Sequence, residues 1–120
     1  MKKYEIRYVT AEVALKDKEL IKPGMAQQYN IDKNGNGDTE LITSYDTVEE
    51  AKTDLKNRKS SVSLTSSFSN KYYLVEEYFI EENEYDEDGE WISGGDIWGY
   101  SEMNWVYYLT RRQLWENMNL

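Results

Sequence analysis

"KYYLVEEYFIEE", residues 71–82, places a β-former at almost every second step and contains no turn former. "EYDEDGEW", residues 84–91, follows with Asp88-Gly89, a strong hairpin signal, and "GEWISGGDIWGY", residues 89–100, returns as the second arm. A long antiparallel hairpin is therefore the first prediction. The rest of the chain is read by what could extend it. "KYEIRYVTAEV", residues 3–13, alternates Tyr4, Ile6 and Tyr8 with Glu5 and Arg7, the period-two pattern of a half-buried strand. "QQYNI" (27–31) and "TELITSY" (39–45) read as two short strands around the turn-rich "DKNGNGD". "NWVYYL" (104–109) reads as another. "SSVSLTSSFSN" (60–70) is a loop or ragged edge strand anchored by Val62, Leu64 and Phe68.

One helix announces itself. In "SYDTVEEAKTDLKNRK", Thr47 and Glu50 have the spacing of a capping box, and Val48, Ala51 and Leu55 form an apolar stripe. Acids open the segment, and Lys56, Arg58 and Lys59 close it, as the helix dipole favours. The pattern predicts a helix over 48–58. Thr110 and Gln113 offer a second capping box, so a short helix ends the chain. The alternative is one helix over 101–118, with Trp105, Leu109 and Trp115 inward. These elements predict one α+β domain over 1–120: an antiparallel sheet of about five strands. The capped helix covers one face and solvent the other.

Composition excludes several chemistries. The 120 residues contain no cysteine and no histidine, which removes disulfides, thiolate catalysis, Cys/His zinc sites and histidine bases. No stretch approaches the ~20 apolar residues of a membrane helix, and the expectation is a cytoplasmic protein without cofactor. "NIDKNGNGDTELIT" (30–43) puts Asp32, Asn34, Asn36, Gly37 and Asp38 at EF-hand positions. Its twelfth position is Thr43, which cannot supply the bidentate carboxylate, so a turn without a metal ion is predicted. Gly94, Gly95 and Gly99 lack a Walker lysine and mark a bulge or bend. No basic stripe interleaved with aromatics suggests direct nucleic-acid binding.

The net charge of −9 is unevenly spread. Residues 72–102 hold 11 acids and no base, whereas the remainder holds 12 acids and 14 bases. Such a segment repels nucleic acids and attracts basic protein surfaces. Alternation along the strand puts Glu77 and Glu81 with Tyr73, Val75 and Phe79, and Glu76 and Glu82 with Tyr72, Leu74, Tyr78 and Ile80. Both faces thus interleave carboxylates with aromatics. A non-enzymatic, acidic protein-binding module follows as the leading expectation. Glu76, Glu77, Glu81, Glu82, Asp86, Glu87 and Asp88 supply its field, with Tyr78, Tyr85 and Trp91 as anchors. Rows of carboxylates match a phosphate ladder in sign. The alternatives are a structural protein that self-associates through sheet edges or Tyr/Trp patches, and a carboxylate-metal enzyme.

"MKKYEIRYV", "SYDTVEEAK" and "KYYLVEEYFIEE", with ten lysines to four arginines, resemble the small acidic proteins of phages and mobile elements from low-GC Gram-positive bacteria. Some such proteins are anti-CRISPR or anti-restriction inhibitors that fill a nucleic-acid channel with carboxylates. The resemblance implies an inhibitor of a nucleic-acid-handling defence enzyme, acting by charge mimicry.

Overall fold

The computed structural model describes residues 1–98 and 104–107. The chain runs β1 (Lys2–Ala14), a 3₁₀ helix (Leu15–Leu20), α1 (Ala26–Asn34), β2 (Glu40–Tyr45), α2 (Val48–Leu55), β3 (Lys59–Ser67), β4 (Asn70–Tyr85), β5 (Trp91–Trp98) and β6 (Asn104–Tyr107). The fold is α+β, with one mixed sheet ordered β2-β1-β4-β3-β6 and β5 also paired to β4. The expected C-terminal helix, and residues 108–109 of the expected last strand, lie outside the described residues.

β4 is the spine. Its 16 residues reach about 50 Å at the usual strand rise, and the molecule measures 55 × 29 × 21 Å. β1 pairs antiparallel with it from Lys2↔Glu84 to Ala14↔Tyr72. Its other edge is shared: β3 takes Asn70 to Glu76, and β5 takes Ile80 to Tyr85. Between them, Tyr78 donates its backbone N–H to the buried Ser60 Oγ at 2.9 Å, so the gap leaves that donor satisfied.

That shared edge explains why β6 runs parallel to β3. Two hairpins turn the chain from β3 to β4 to β5, which makes β5 point the same way as β3. β3 occupies the lower edge of β4, and β6 pairs with β3 on its far side. No crossover helix is needed, because the direction was set two strands earlier.

Both sheet faces carry a helix, a difference from the one-sided sheet expected. On one face Val9, Ala11 and Val13 of β1 share a buried cluster with Tyr73, Val75 and Phe79 of β4 and with Met25, Ala26 and Tyr29 around α1. On the other, Ile6 and Ile80 are buried with Ala51 and Leu55 of α2. Each buried Val, Ile, Leu, Met or Phe among them contributes about 1.5–3 kcal/mol by leaving water. α2 starts as its text prescribes: Glu50 donates its N–H to Thr47 Oγ1 at 3.2 Å, and the Thr47 hydroxyl donates to Glu50 Oε1 at 2.9 Å. It stops at Leu55, three residues before the expected end.

Two segments depart from their sequence reading. "QQYNI" belongs to α1 rather than to a strand. Its helical stripe is short (Met25, Ala26 and Tyr29), and Gly35, with φ +71°, ends it by donating to the Ile31 carbonyl at 3.0 Å. The chain then turns at Asn36, whose Oδ1 accepts from the Asp38 N–H at 2.8 Å, and leaves into β2. Residues 60–67 lie in β3, an interior strand between β4 and β6 with Val62 buried. Phe68 is not an anchor: it is 99% exposed at the hairpin tip.

Candidate functional site

The acid-rich end of the sheet is built from the upper halves of β1 and β4 together with β5. Strand alternation divides its side chains between two faces, and the faces differ in kind.

On the face that carries α1, Glu5 is buried and fully engaged. Its Oε1 accepts from Arg7 Nη2 at 2.6 Å and from Asn83 Nδ2 at 2.9 Å, and its Oε2 accepts from the Tyr85 hydroxyl at 2.5 Å. Asn83 also donates to Glu81 Oε1 at 2.9 Å and accepts from Trp91 Nε1 at 2.9 Å. Burial pushes the Glu5 carboxyl up, but the bonds from Tyr85, Arg7 and Asn83 and the Arg7 charge outweigh it, so it lies below the ordinary value. Tyr85, donating to that carboxylate, is pushed up. This network ties β1, β4 and β5 together. Its groups spend their hydrogen bonds on one another.

Gly94 belongs to the same construction. A bulge skips Gly95 between Asp96↔Glu82 and Gly94↔Asn83, and Gly94 has φ +151°. A Cβ on Gly94 would stand 2.3 Å from Asn83 Oδ1 and 2.5 Å from the Glu82 carbonyl oxygen. Only a glycine lets β5 pass over Asn83.

Among the described residues, the face that carries α2 is open at this end. Lys2, Glu82, Glu84, Ser93, Gly94 and Asp96 line a groove of about 380 Å³. Glu82 lies 3.9 Å from Lys2 Nζ, and Glu84 lies 3.4 Å from the terminal amine of Met1. Asp96 has no hydrogen bond or ion pair among the described residues. Beyond it Trp98, 40% exposed, meets the Tyr4 ring edge-on at 6.5 Å between centroids. The Glu82 carboxylate beside Tyr4, aided by burial, raises that hydroxyl's pKa.

The ten expected binding residues therefore do not share one surface. Glu87 and Asp88 are exposed at the tip. Asp86 holds the turn, its Oδ1 accepting from the N–H groups of Asp88 and Glu90, each at 2.9 Å. Glu81, Tyr85 and Trp91 lie on the α1 face, and Glu82 lies in the open groove. Glu76 and Tyr78 sit lower on the α2 face. There Tyr78 packs against Tyr8 at 4.8 Å and beneath the Arg58 guanidinium at 5.7 Å. Burial, with Glu76 next, pushes Tyr8 up to about 12.

Glu77 is a correction. It is 1% exposed, and its two oxygens accept from the Gly24 and Ala26 N–H groups, each at 2.9 Å, at the start of α1. It is a tertiary helix cap and cannot meet a partner. Burial raises its pKa, and the backbone donors offset only part of that.

Sequence reading passed over Glu84, Asp96 and Trp98, which share the open face, and the network around Glu5 and Asn83. The alternation of "KYEIR" pointed Glu5 to water; the side chains of Arg7, Asn83 and Tyr85 close over it instead. Among the described residues, no group of three or more carboxylates is placed to hold a metal ion, and no helix is long and apolar enough to cross a membrane. Asn34, Asn36 and Asp38 of the EF-hand-like stretch line an open polar hollow of about 530 Å³ with Tyr8, Asn30 and Glu40. No protein-family model, curated protein or solved structure matches this chain.

Proposed function

We propose that this chain is a non-enzymatic protein-binding module that docks on a basic surface of another protein through the acidic end of its sheet. One observation carries the reading: residues 81–98 hold eight acids and no base, and they also expose Trp91 and Trp98. A field of one sign speeds encounter with an oppositely charged partner, and exposed aromatics supply contact area once it arrives. The finer form of the proposal names the partner as a nucleic-acid-handling enzyme, whose phosphate-binding channel the carboxylates would occupy. The resemblance to small acidic phage proteins supports that form, as does the match in sign between the carboxylates and a phosphate backbone.

The test combines affinity capture from a host lysate with a functional readout. At about 50 mM salt the wild type captures a partner and blocks its binding to DNA or RNA, and about 500 mM salt releases it. The variant Glu84→Gln/Glu87→Gln/Asp88→Asn/Glu90→Gln folds but loses both effects. Capture that survives both high salt and the fourfold variant refutes docking by charge.

A second reading rests on β5, whose outer edge is unpaired among the described residues and which exposes Ile92. An open edge is a template for another strand, so self-association there is the alternative. Light scattering that finds an oligomer insensitive to salt favours this reading over the first.

A further inference from the structure

The two faces of the acidic end are not equivalent, and the difference identifies the occupant. On the α1 face the polar groups are consumed by the Glu5, Arg7, Asn83, Tyr85 and Trp91 network. On the α2 face the sheet is uncovered beyond Ile80 among the described residues, and the exposed Trp98 stands against the half-buried Tyr4 beside the groove. In building on the protein-binding reading, we infer that this uncovered α2-side face of β4 and β5 is the docking surface, and that it receives an arginine-bearing extended segment of a partner protein.

Charge selects a cationic occupant. Among the described residues, the cations beside Glu82, Glu84 and Asp96 are Lys2, 3.9 Å from Glu82, and the terminal amine, 3.4 Å from Glu84; Glu82 also accepts from the Tyr4 hydroxyl, and Asp96 has no ion pair. The terminal amine–Glu84 pair is largely open to water, and such pairs contribute about 0–1 kcal/mol, so an incoming cation can displace it. Shape selects arginine. Asp96 and Trp98 are two residues apart on one face of β5, about 6.6 Å along the strand. A guanidinium can lie against the indole while its N–H fork reaches a carboxylate, which the compact lysine ammonium cannot do at once. The molecule already places one guanidinium over a ring in this way, Arg58 over Tyr78. An extended segment suits the site because β5 lines it with Ser93, Gly94 and Asp96, and Gly94 leaves bare backbone there.

The experiment separates this face from the general field. Octa-arginine and octa-lysine peptides, equal in charge, are titrated calorimetrically into the full chain and two variants of equal charge change. Glu84→Gln/Asp96→Asn alters the groove; Glu87→Gln/Asp88→Asn alters the tip. The groove variant is expected to weaken octa-arginine binding at least about tenfold more than the tip variant, the scale of one lost charge-assisted hydrogen bond. Octa-arginine is expected to bind more tightly than octa-lysine. Trp98→Leu keeps the apolar bulk but removes the ring face, and is expected to erase most of that preference, whereas Trp91→Leu on the opposite face preserves it. Equal losses from groove and tip, or an arginine preference that survives Trp98→Leu, overturn this inference and leave docking by charge standing. If neither peptide binds and no salt-sensitive partner is captured, both fall.

Discussion

Glu77 carries the sharpest conflict between a residue's ordinary chemistry and its place. Among the described residues no cation acts on this carboxylate, and backbone N–H groups at the start of α1 hold it. Its folded pKa lies above 4.5, so between 4.5 and that raised value the native state holds a proton that the unfolded chain releases. Stability from this group therefore falls as pH rises through that window. Glu77→Gln removes the titration, so its destabilisation, measured by urea unfolding, is expected to be larger at pH 5 than at pH 7. A destabilisation that does not change with pH rejects this account. Glu5 has the opposite sign: its carboxyl lies below 4.5, and its contribution is present above 4.5 and is lost as pH falls through the lowered value. Asn83 is the hub of that network, donating to two carboxylates while accepting from Trp91. Asn83→Asp replaces the donor with a third acid and is expected to destabilise by about 2–4 kcal/mol at pH 7. Thermal or urea unfolding within 0.5 kcal/mol of wild type, taken as roughly the noise of a surface change, counts against the network.

The β3–β4 hairpin shows how far an element can stray from its usual text. Ser67 pairs with Asn70, so the loop is Phe68-Ser69, and both residues have positive φ, +47° and +72°. Two-residue loops of this shape favour Asn-Gly, because side chains other than Asn, Asp and Gly are strained there. Phe68→Asn/Ser69→Gly is therefore expected to stabilise the chain by about 1–2 kcal/mol, read as a raised urea midpoint with unchanged slope. A lowered midpoint would mean that the Phe68 ring contributes to the fold despite its exposure. This turn was invisible in the sequence for the same reason that it is strained: neither residue spells a turn. Asp88-Gly89 was legible because its chemistry and its conformation agree, with Gly89 at φ +82°. α1 was illegible for a third reason. Most of its residues are polar, and the carboxylate at its start comes from Glu77, some fifty residues along the chain.

Across the whole molecule, charge is polarised along the long axis. The acids of 81–98 gather at one end of β4, where the neighbouring bases include Lys2, Lys3, the terminal amine and Arg7, which is spent on Glu5. Like charges held together oppose the compact state, and salt screens them within about 8–10 Å. The melting temperature is accordingly expected to rise between roughly 20 and 200 mM sodium chloride, and Glu87→Gln/Asp88→Asn to raise it at low salt. A melting temperature that falls with salt would show that the ion pairs of the surface outweigh the repulsion. The same field that weakens the fold is what a basic partner would feel.

Local rules sufficed for some features of this protein. Alternation, a capping box, an Asp-Gly turn and a one-sided charge count determined the α+β class, α2, the β4–β5 hairpin and the acidity of that hairpin. Each depends on residues within a few positions of one another. Tertiary structure alone decided the rest. It buried Glu5 and Glu77, placed α1 and α2 on opposite faces, set β6 parallel to β3, and separated a sealed acidic face from an open one. Those outcomes depend on which strands share the edges of β4 and on what covers each face, and alternation along one strand carries no record of either.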